Sequence, residues 1–160
     1  MPNFDYGYWE VTIEKQGRLK LPTALLKSLP EDERKQFWIT HGFGSYLILW
    51  TEKSYRAQME FLNSLDRNIE QVRRYRNAFL RNTAFIECDS QDRFVIPKPL
   101  LEKYGIEREV VLLLDNGKIE IWKKSLYDSE YDLLPDEFSK LNEAIHTGNY
   151  QIAGETDHVS

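Results

Sequence analysis

Glu14-Lys15-Gln16-Gly17-Arg18-Leu19-Lys20-Leu21-Pro22 and Asp89-Ser90-Gln91-Asp92-Arg93-Phe94-Val95-Ile96-Pro97 are two copies of one pattern. Each runs from an acid through three residues to Arg, then through three mostly apolar residues to Pro. Arg18 and Arg93 are 75 positions apart, as are Pro22 and Pro97. The flanks match as well. Ala24-Leu25-Leu26-Lys27-Ser28-Leu29 follows the first Pro, and Lys98-Pro99-Leu100-Leu101-Glu102-Lys103-Tyr104 the second. A hairpin-like run then ends at Leu49-Trp50 in one half and at Ile121-Trp122 in the other. Matched landmarks in one order point to an internal duplication.

Each copy reads as strand, turn, strand. Tyr8–Glu14 alternates and is rich in β-branched and aromatic residues, which predicts a strand. Gly17 supplies a turn, and Leu19-Lys20-Leu21 resumes the alternation. Pro22 opens a short helix over 23–28. Phe37–Thr40 and Tyr46–Trp50 form a hairpin joined at Gly42-Phe43-Gly44-Ser45. Between them and the first helix, 31–35 is a polar loop. In the second half, 83–89 and 94–96 are strands, 100–104 a short helix stopped by Gly105, and 109–114 with 119–122 a hairpin. Asn116-Gly117 suits the positive φ angles of its tight turn.

Between the copies, two helices are expected. Thr51 is a candidate N-cap for the first, with Ser54 a second candidate, and this helix carries Tyr55, Met59, Leu62 and Leu65 at helical spacing. The second follows Asp66, with Ile69, Val72, Tyr75, Phe79 and Leu80 on one face and Arg67, Arg73, Arg74, Arg76 and Arg81 on the other. That basic face reads first as a solvated one. A further helix after Pro135 places Phe138, Leu141 and Ile145 on one side, and 147–160 reads as a polar tail. The chain thus divides into a first repeat over 6–52, connecting helices over 53–82, a second repeat over 83–126 and an acidic helix and tail over 127–160. The fold class is α+β. A half with a few short strands cannot bury a core alone, so two halves closing one barrel-like core about a pseudo-two-fold axis are expected.

Composition narrows the function. The 160 residues are 41% hydrophobic and 13% aromatic, which suits a packed globular protein. No apolar run approaches the ~20 residues of a membrane span, and the start, Met1-Pro2-Asn3-Phe4-Asp5, does not read as a secretory signal. The single cysteine, Cys88, excludes an internal disulfide and fits a reducing cytosol. Net charge is −5, but unevenly spread. From Ser125 onward Lys140 alone stands against eight acids, so the first 124 residues hold 20 of the 21 bases and 18 of the 26 acids. A mildly basic body can still meet phosphate. His41, His146 and His158 are scattered, Cys88 has no His partner in the sequence, and neither zinc-ligand spacing nor a phosphate-binding glycine loop is present. No catalytic residue, metal or cofactor is expected.

The candidate binding residues sit in the repeated pattern. Arg18 and Arg93 can clamp phosphate bidentately or reach guanine O6 and N7. An acid–Arg pair that merely fixes the turn accounts for them equally well. Lys15 and Lys20 are candidate phosphate contacts. Gln16 and Gln91, at one repeat position, are candidates for a base edge. Trp9, Trp38, Trp50 and Trp122 read as core or subunit contacts.

These residues resemble the MraZ family of bacterial transcriptional regulators, built from two SpoVT/AbrB-type DNA-binding units. The family mark is Asp-x-x-x-Arg, usually as Asp-x-x-Gly-Arg-Leu/Ile-x-x-Pro. Asp89 and Arg93 keep it, with Asp92 in place of Gly; Gly17 and Arg18 keep it, with Glu14 in place of Asp. The likeness spans roughly 6–145. It implies duplicated SpoVT/AbrB-like β-barrel units joined by helices. It also implies a cytoplasmic, nucleoid-associated protein that binds repeated promoter sites on double-stranded DNA. The target would be a division and cell-wall gene cluster, regulated as a repressor by a ring-like homo-oligomer with no small-molecule substrate. Glu14 and Asp89 would orient the arginines. A competing reading is an antitoxin-like interaction module whose acidic tail binds a protein partner.

Overall fold

The computed structural model describes residues 6–151. Eight strands and six α-helices alternate among them. The first half holds β1 (Tyr6–Thr12), a 3-10 turn (Lys15–Gly17), β2 (Arg18–Lys20), α1 (Thr23–Lys27), a second 3-10 turn (Glu31–Glu33), β3 (Gln36–His41) and β4 (Leu47–Thr51). Helices α2 (Glu52–Ser64) and α3 (Glu70–Arg81) follow. The second half holds β5 (Ala84–Glu87), β6 (Arg93–Val95), α4 (Lys98–Lys103), β7 (Glu109–Asp115) and β8 (Lys118–Lys123), then α5 (Lys124–Tyr131) and α6 (Pro135–Thr147). The chain forms two compact units divided between Tyr127 and Asp128, inside α5.

The two halves do not fold side by side; they share their strands. One six-stranded antiparallel sheet runs β1-β7-β8-β4-β3-β5, and a separate two-stranded ribbon joins β2 to β6. Exchanging the matching strands of the two halves returns the same order read backwards. The registers obey the same exchange. Ile48 pairs with Glu120 in the middle of β4–β8, and Leu19 pairs with Phe94 in the middle of the ribbon. Flanking pairs swap into one another, as Arg18↔Val95 does into Lys20↔Arg93. The sheet is open: β1 and β5 are its end strands and do not pair with each other among the described residues. Among the described residues the strands thus form an open shared sheet plus a ribbon. Each ribbon strand is three residues long.

The core explains the sharing. Leu19, Leu21, Leu25, Phe37, Ile39, Leu47, Leu49, Phe94, Ile96, Leu112, Ile119 and Ile121 form one cluster drawn from both halves. On the other face of β4, Ile48 and Trp50 meet Leu62 of α2 and Phe79 of α3. All five β4 residues are buried, as expected for a central strand covered on both faces. Thr51 caps α2, its Oγ1 accepting from the Ser54 N–H at 3.2 Å. Asn116 and Gly117 hold φ of 51° and 78° in the β7–β8 turn, and Gly105 ends α4 at φ 61°. Trp50 and Trp122 are buried, Trp38 stacks on Tyr55, and Trp9 packs on the main cluster. These tryptophans belong to the interior.

Three expectations need correction. Ile69 is not on the helical face but at the N-cap of α3, which starts at Glu70, and is 50% exposed, whereas Tyr75 does share the face of Phe79, its ring stacking there while 42% exposed. Arg76 leaves the basic face instead: its Nε is buried and Nη2 donates to Asn63 Oδ1 at 3.1 Å. Residues 124–131, not anticipated as a helix, form α5. The expectations for Met1–Asp5 and for most of the polar tail, from Ile152 on, lie outside the described residues. No described helix is long and apolar enough to cross a membrane.

Candidate nucleic-acid interface

The repeated pattern builds one surface from both halves. Glu14 and Asp89 end the approach to each turn, where Glu14 N–H donates to Arg18 O at 2.7 Å and Asp89 N–H to Arg93 O at 2.9 Å. Leu19 and Phe94 then point inward and are buried. Alternation sends Arg18, Lys20, Arg93 and Val95 to the opposite face. The strands are stitched at both ends, Leu21 N–H donating to Asp92 O and Ile96 N–H to Gly17 O, each at 2.9 Å. All six candidate residues lie on this ribbon or its turns. Lys15, Gln16, Arg18, Lys20 and Gln91 are exposed, and Arg93 is half-buried.

The acid–arginine pairs cross between the halves. Arg18 Nη2 donates to Asp89 Oδ2 at 3.2 Å, and Arg93 Nε donates to both Glu14 carboxylate oxygens at 3.1 Å. Neither pairing is within its own copy. Sequence spacing suggested a local partner; antiparallel pairing of β2 with β6 places the other copy's acid closer. Arg93 Nη1 also donates to Gln91 Oε1 at 2.9 Å. These contacts leave several of the five N–H donors on each guanidinium unused. Exposed pairs of this kind contribute little stability.

The departures from the family pattern have separate consequences. Asp89 Oδ1 accepts from the Gln91 and Arg93 N–H groups at 2.8 and 3.0 Å. Those backbone donors, with Arg18 and Arg93 nearby, hold its carboxyl below the usual range. Glu14 makes no such bond to its own turn. Its extra methylene carries the carboxylate past the turn amides and out to Arg93. Asp92 takes φ 63° where Gly17 takes 75°, a conformation Asp tolerates better than most residues. Its charge is answered by Lys35, whose Nζ donates to Oδ1 at 2.9 Å and whose own pKa that bond raises. The turns still differ, because Gln16 also holds positive φ at 63°.

Lys35 is the cation that sequence reasoning missed, left in a polar loop. Its carbonyl accepts from Cys88 N–H at 2.8 Å, as the Arg108 carbonyl does from Ile13 N–H at 2.7 Å. Aligning the repeats through these loops would have put two basic residues at one position. With Lys15, Arg18, Lys20 and Arg93 it makes five cations around three acids. Cys88 is buried, and burial pushes its thiol up to about 12, so it stays protonated near neutrality. No group of three His, Cys, Asp or Glu that could hold a metal ion occurs among the described residues.

Comparison with known proteins agrees with this architecture. The model of the family described as "MraZ protein, putative antitoxin-like" matches twice, over residues 7–76 and 79–145. The chain is 30% identical over 149 residues to a protein of Christiangramia forsetii named Transcriptional regulator MraZ, covering 92% of this chain and 96% of that one. It is 30% identical over 135 residues to the protein of that name from Mycoplasmopsis pulmonis, covering 82% and 87%. For the one from Cytophaga hutchinsonii the figures are 26% over 140 residues, 88% and 93%.

Proposed function

Because the chain belongs to the MraZ family, we propose that it is a transcriptional regulator that reads double-stranded DNA with the β2–β6 ribbon and its two turns. The relatives' shared name supports regulation of transcription. The crossed pairs Arg18–Asp89 and Arg93–Glu14 carry the assignment of the surface. They preset two guanidinium groups on one ribbon while leaving donors unspent. A two-stranded ribbon is one of the two elements the major groove admits. In this reading Arg18 and Arg93 reach bases or clamp phosphate, Lys15 and Lys20 hold phosphate, and Gln16 and Gln91 lie near base edges. Glu14 and Asp89 orient the arginines.

The two repeats, 6–52 and 83–126, stand as pseudo-two-fold-related units in this reading, with helices 53–82 between them and 127–160 as an acidic extension. The exchange-invariant strand register supports that relation. The protein acts in the cytoplasm on the nucleoid, as a repressor of a division and cell-wall gene cluster. Several copies bind repeated promoter sites, so weak contacts add by avidity. It performs no catalysis.

The test is a mobility-shift titration on DNA from upstream of that cluster, with wild type and the Arg18→Ala/Arg93→Ala double variant. Each arginine is expected to contribute about 1–3 kcal/mol, and wild-type affinity to fall steeply with added salt. Unchanged affinity in a folded, assembled double variant removes the ribbon from the interface. A protein partner captured through residues 125–160, with no DNA shift at low salt, favours the interaction-module reading instead.

A further inference from the structure

Two surfaces of the chain lack the cover their composition calls for. The first is α6. Leu134, Phe138, Leu141 and Ile145 recur at steps of four, three and four, so they form one row along the helix. They are 67%, 63%, 52% and 58% exposed, and α6 buries none of its residues. A helix of this length is marginal in water unless an apolar face packs. The second surface is a groove in the other unit, between the end of α1, the start of α2 and the β7–β8 turn. Leu29, Pro30, Trp50 and Ala57 line it, with Lys53 and Lys118. Two polar atoms of the same groove, the acceptor Glu33 Oε1 and the donor Gln58 Nε2, are buried without a hydrogen-bond partner among the described residues.

We propose that α6 of one copy docks in this groove of a second copy. The inference rests on the homo-oligomer reading above and names the surfaces that make it. Charge selects the occupant. Residues 128–151 carry Asp128, Glu130, Asp132, Asp136, Glu137 and Glu143 against Lys140, whereas the groove presents Lys53 and Lys118. Two α6 helices packed on each other would set like charges together. Polar residues beside the apolar row complete the fit: Glu137 and Asn142 can accept from Gln58, and Asn142 and Lys140 can donate to Glu33. This is the helix-in-groove mode of recognition, with anchors at helical spacing. The helix and the groove are different surfaces and every copy has both. The contact is therefore heterologous, and it closes a ring or continues as a filament.

Sedimentation of the full-length chain tests this with two substitutions at exposed positions. Leu141→Asp spoils the helix row and leaves the groove; Ala57→Trp fills the groove and leaves the helix. Each alone is expected to fall to the mass of one chain. Their equimolar mixture is expected to give two-chain particles and nothing larger, because one intact helix and one intact groove remain. Phe138→Asp repeats the helix arm should Leu141→Asp fail to fold. If wild type assembles and either variant still does, the docking is wrong while the oligomer stands. If both variants are single chains and stay so when mixed, the helix and groove are not partners. If wild type is itself a single chain at every concentration, the homo-oligomer reading fails first.

Discussion

Gly17 and Asp92 occupy equivalent places in the two turns, and one backbone requirement governs both. Each holds positive φ, at 75° and 63°, where an L side chain pays a steric cost that glycine avoids. At Gly17 space is short as well. A Cβ there would lie 3.1 Å from Leu101 Cδ1 and 3.2 Å from the Ile96 carbonyl oxygen, so both neighbours would have to give by a few tenths of an ångström. Gly17→Ala is therefore expected to destabilise the fold by about 1–2 kcal/mol, measured as a lower urea midpoint at constant m-value. A midpoint equal to wild type would mean that the turn relaxes freely. Asp92 meets the same constraint with a charge, and Lys35 answers it.

The β2–β6 ribbon is the element on which the arginines depend, and its hold on the molecule is apolar. Leu19 and Phe94 face each other at its centre, 0% and 4% exposed, within the cluster that also contains Leu21, Leu25 and Ile96. Phe94→Ala is expected to cost about 3–5 kcal/mol, the usual range for emptying a buried aromatic site, again read from chemical denaturation. Removing Glu14 or Asp89 acts differently. Glu14→Ala removes the carboxylate from Arg93 alone, whereas Asp89→Ala also deprives two turn N–H groups, those of Gln91 and Arg93, of the one oxygen that accepts from both.

Across the molecule, His41 ties three segments together. It stands at the end of β3, its Nε2 lies 2.7 Å from Asn82 Nδ2 beyond α3, and its Nδ1 bonds the Tyr104 hydroxyl after α4. The Asn82 amide donates, so Nε2 must accept and the ring is neutral, with Nδ1–H donating to Tyr104. Burial first, and then the Lys103 charge, lower the His41 pKa. A lowered folded pKa means that the unfolded chain takes up the proton first. The contribution of His41 is full above its unfolded pKa of about 6.5 and is lost as pH falls toward the folded value. Melting temperature should therefore drop between pH 7.5 and pH 5.5 more steeply in wild type than in His41→Gln. Parallel slopes would show that His41 does not carry this linkage.

Much of the molecule is legible from local chemistry. The duplication, the Asn116-Gly117 turn, the Thr51 cap and the inward alternation at Leu19 and Phe94 all follow from spacing and residue type, because turns, caps and alternation are set by near neighbours. Arg18 with Arg93 and Gln16 with Gln91 stand out in the sequence because they repeat, whereas Lys15 and Lys20 correspond to Ser90 and Val95 in the other copy. The sequence by itself thus determined two strand–turn–strand devices, each presenting an arginine. Only the tertiary structure decided how those devices combine. Strand exchange between the halves is a long-range choice, made because neither half can bury its own apolar face. It set Arg18 on Asp89 and Arg93 on Glu14, brought Lys35 to Asp92, and made one shared sheet with a ribbon apart from it.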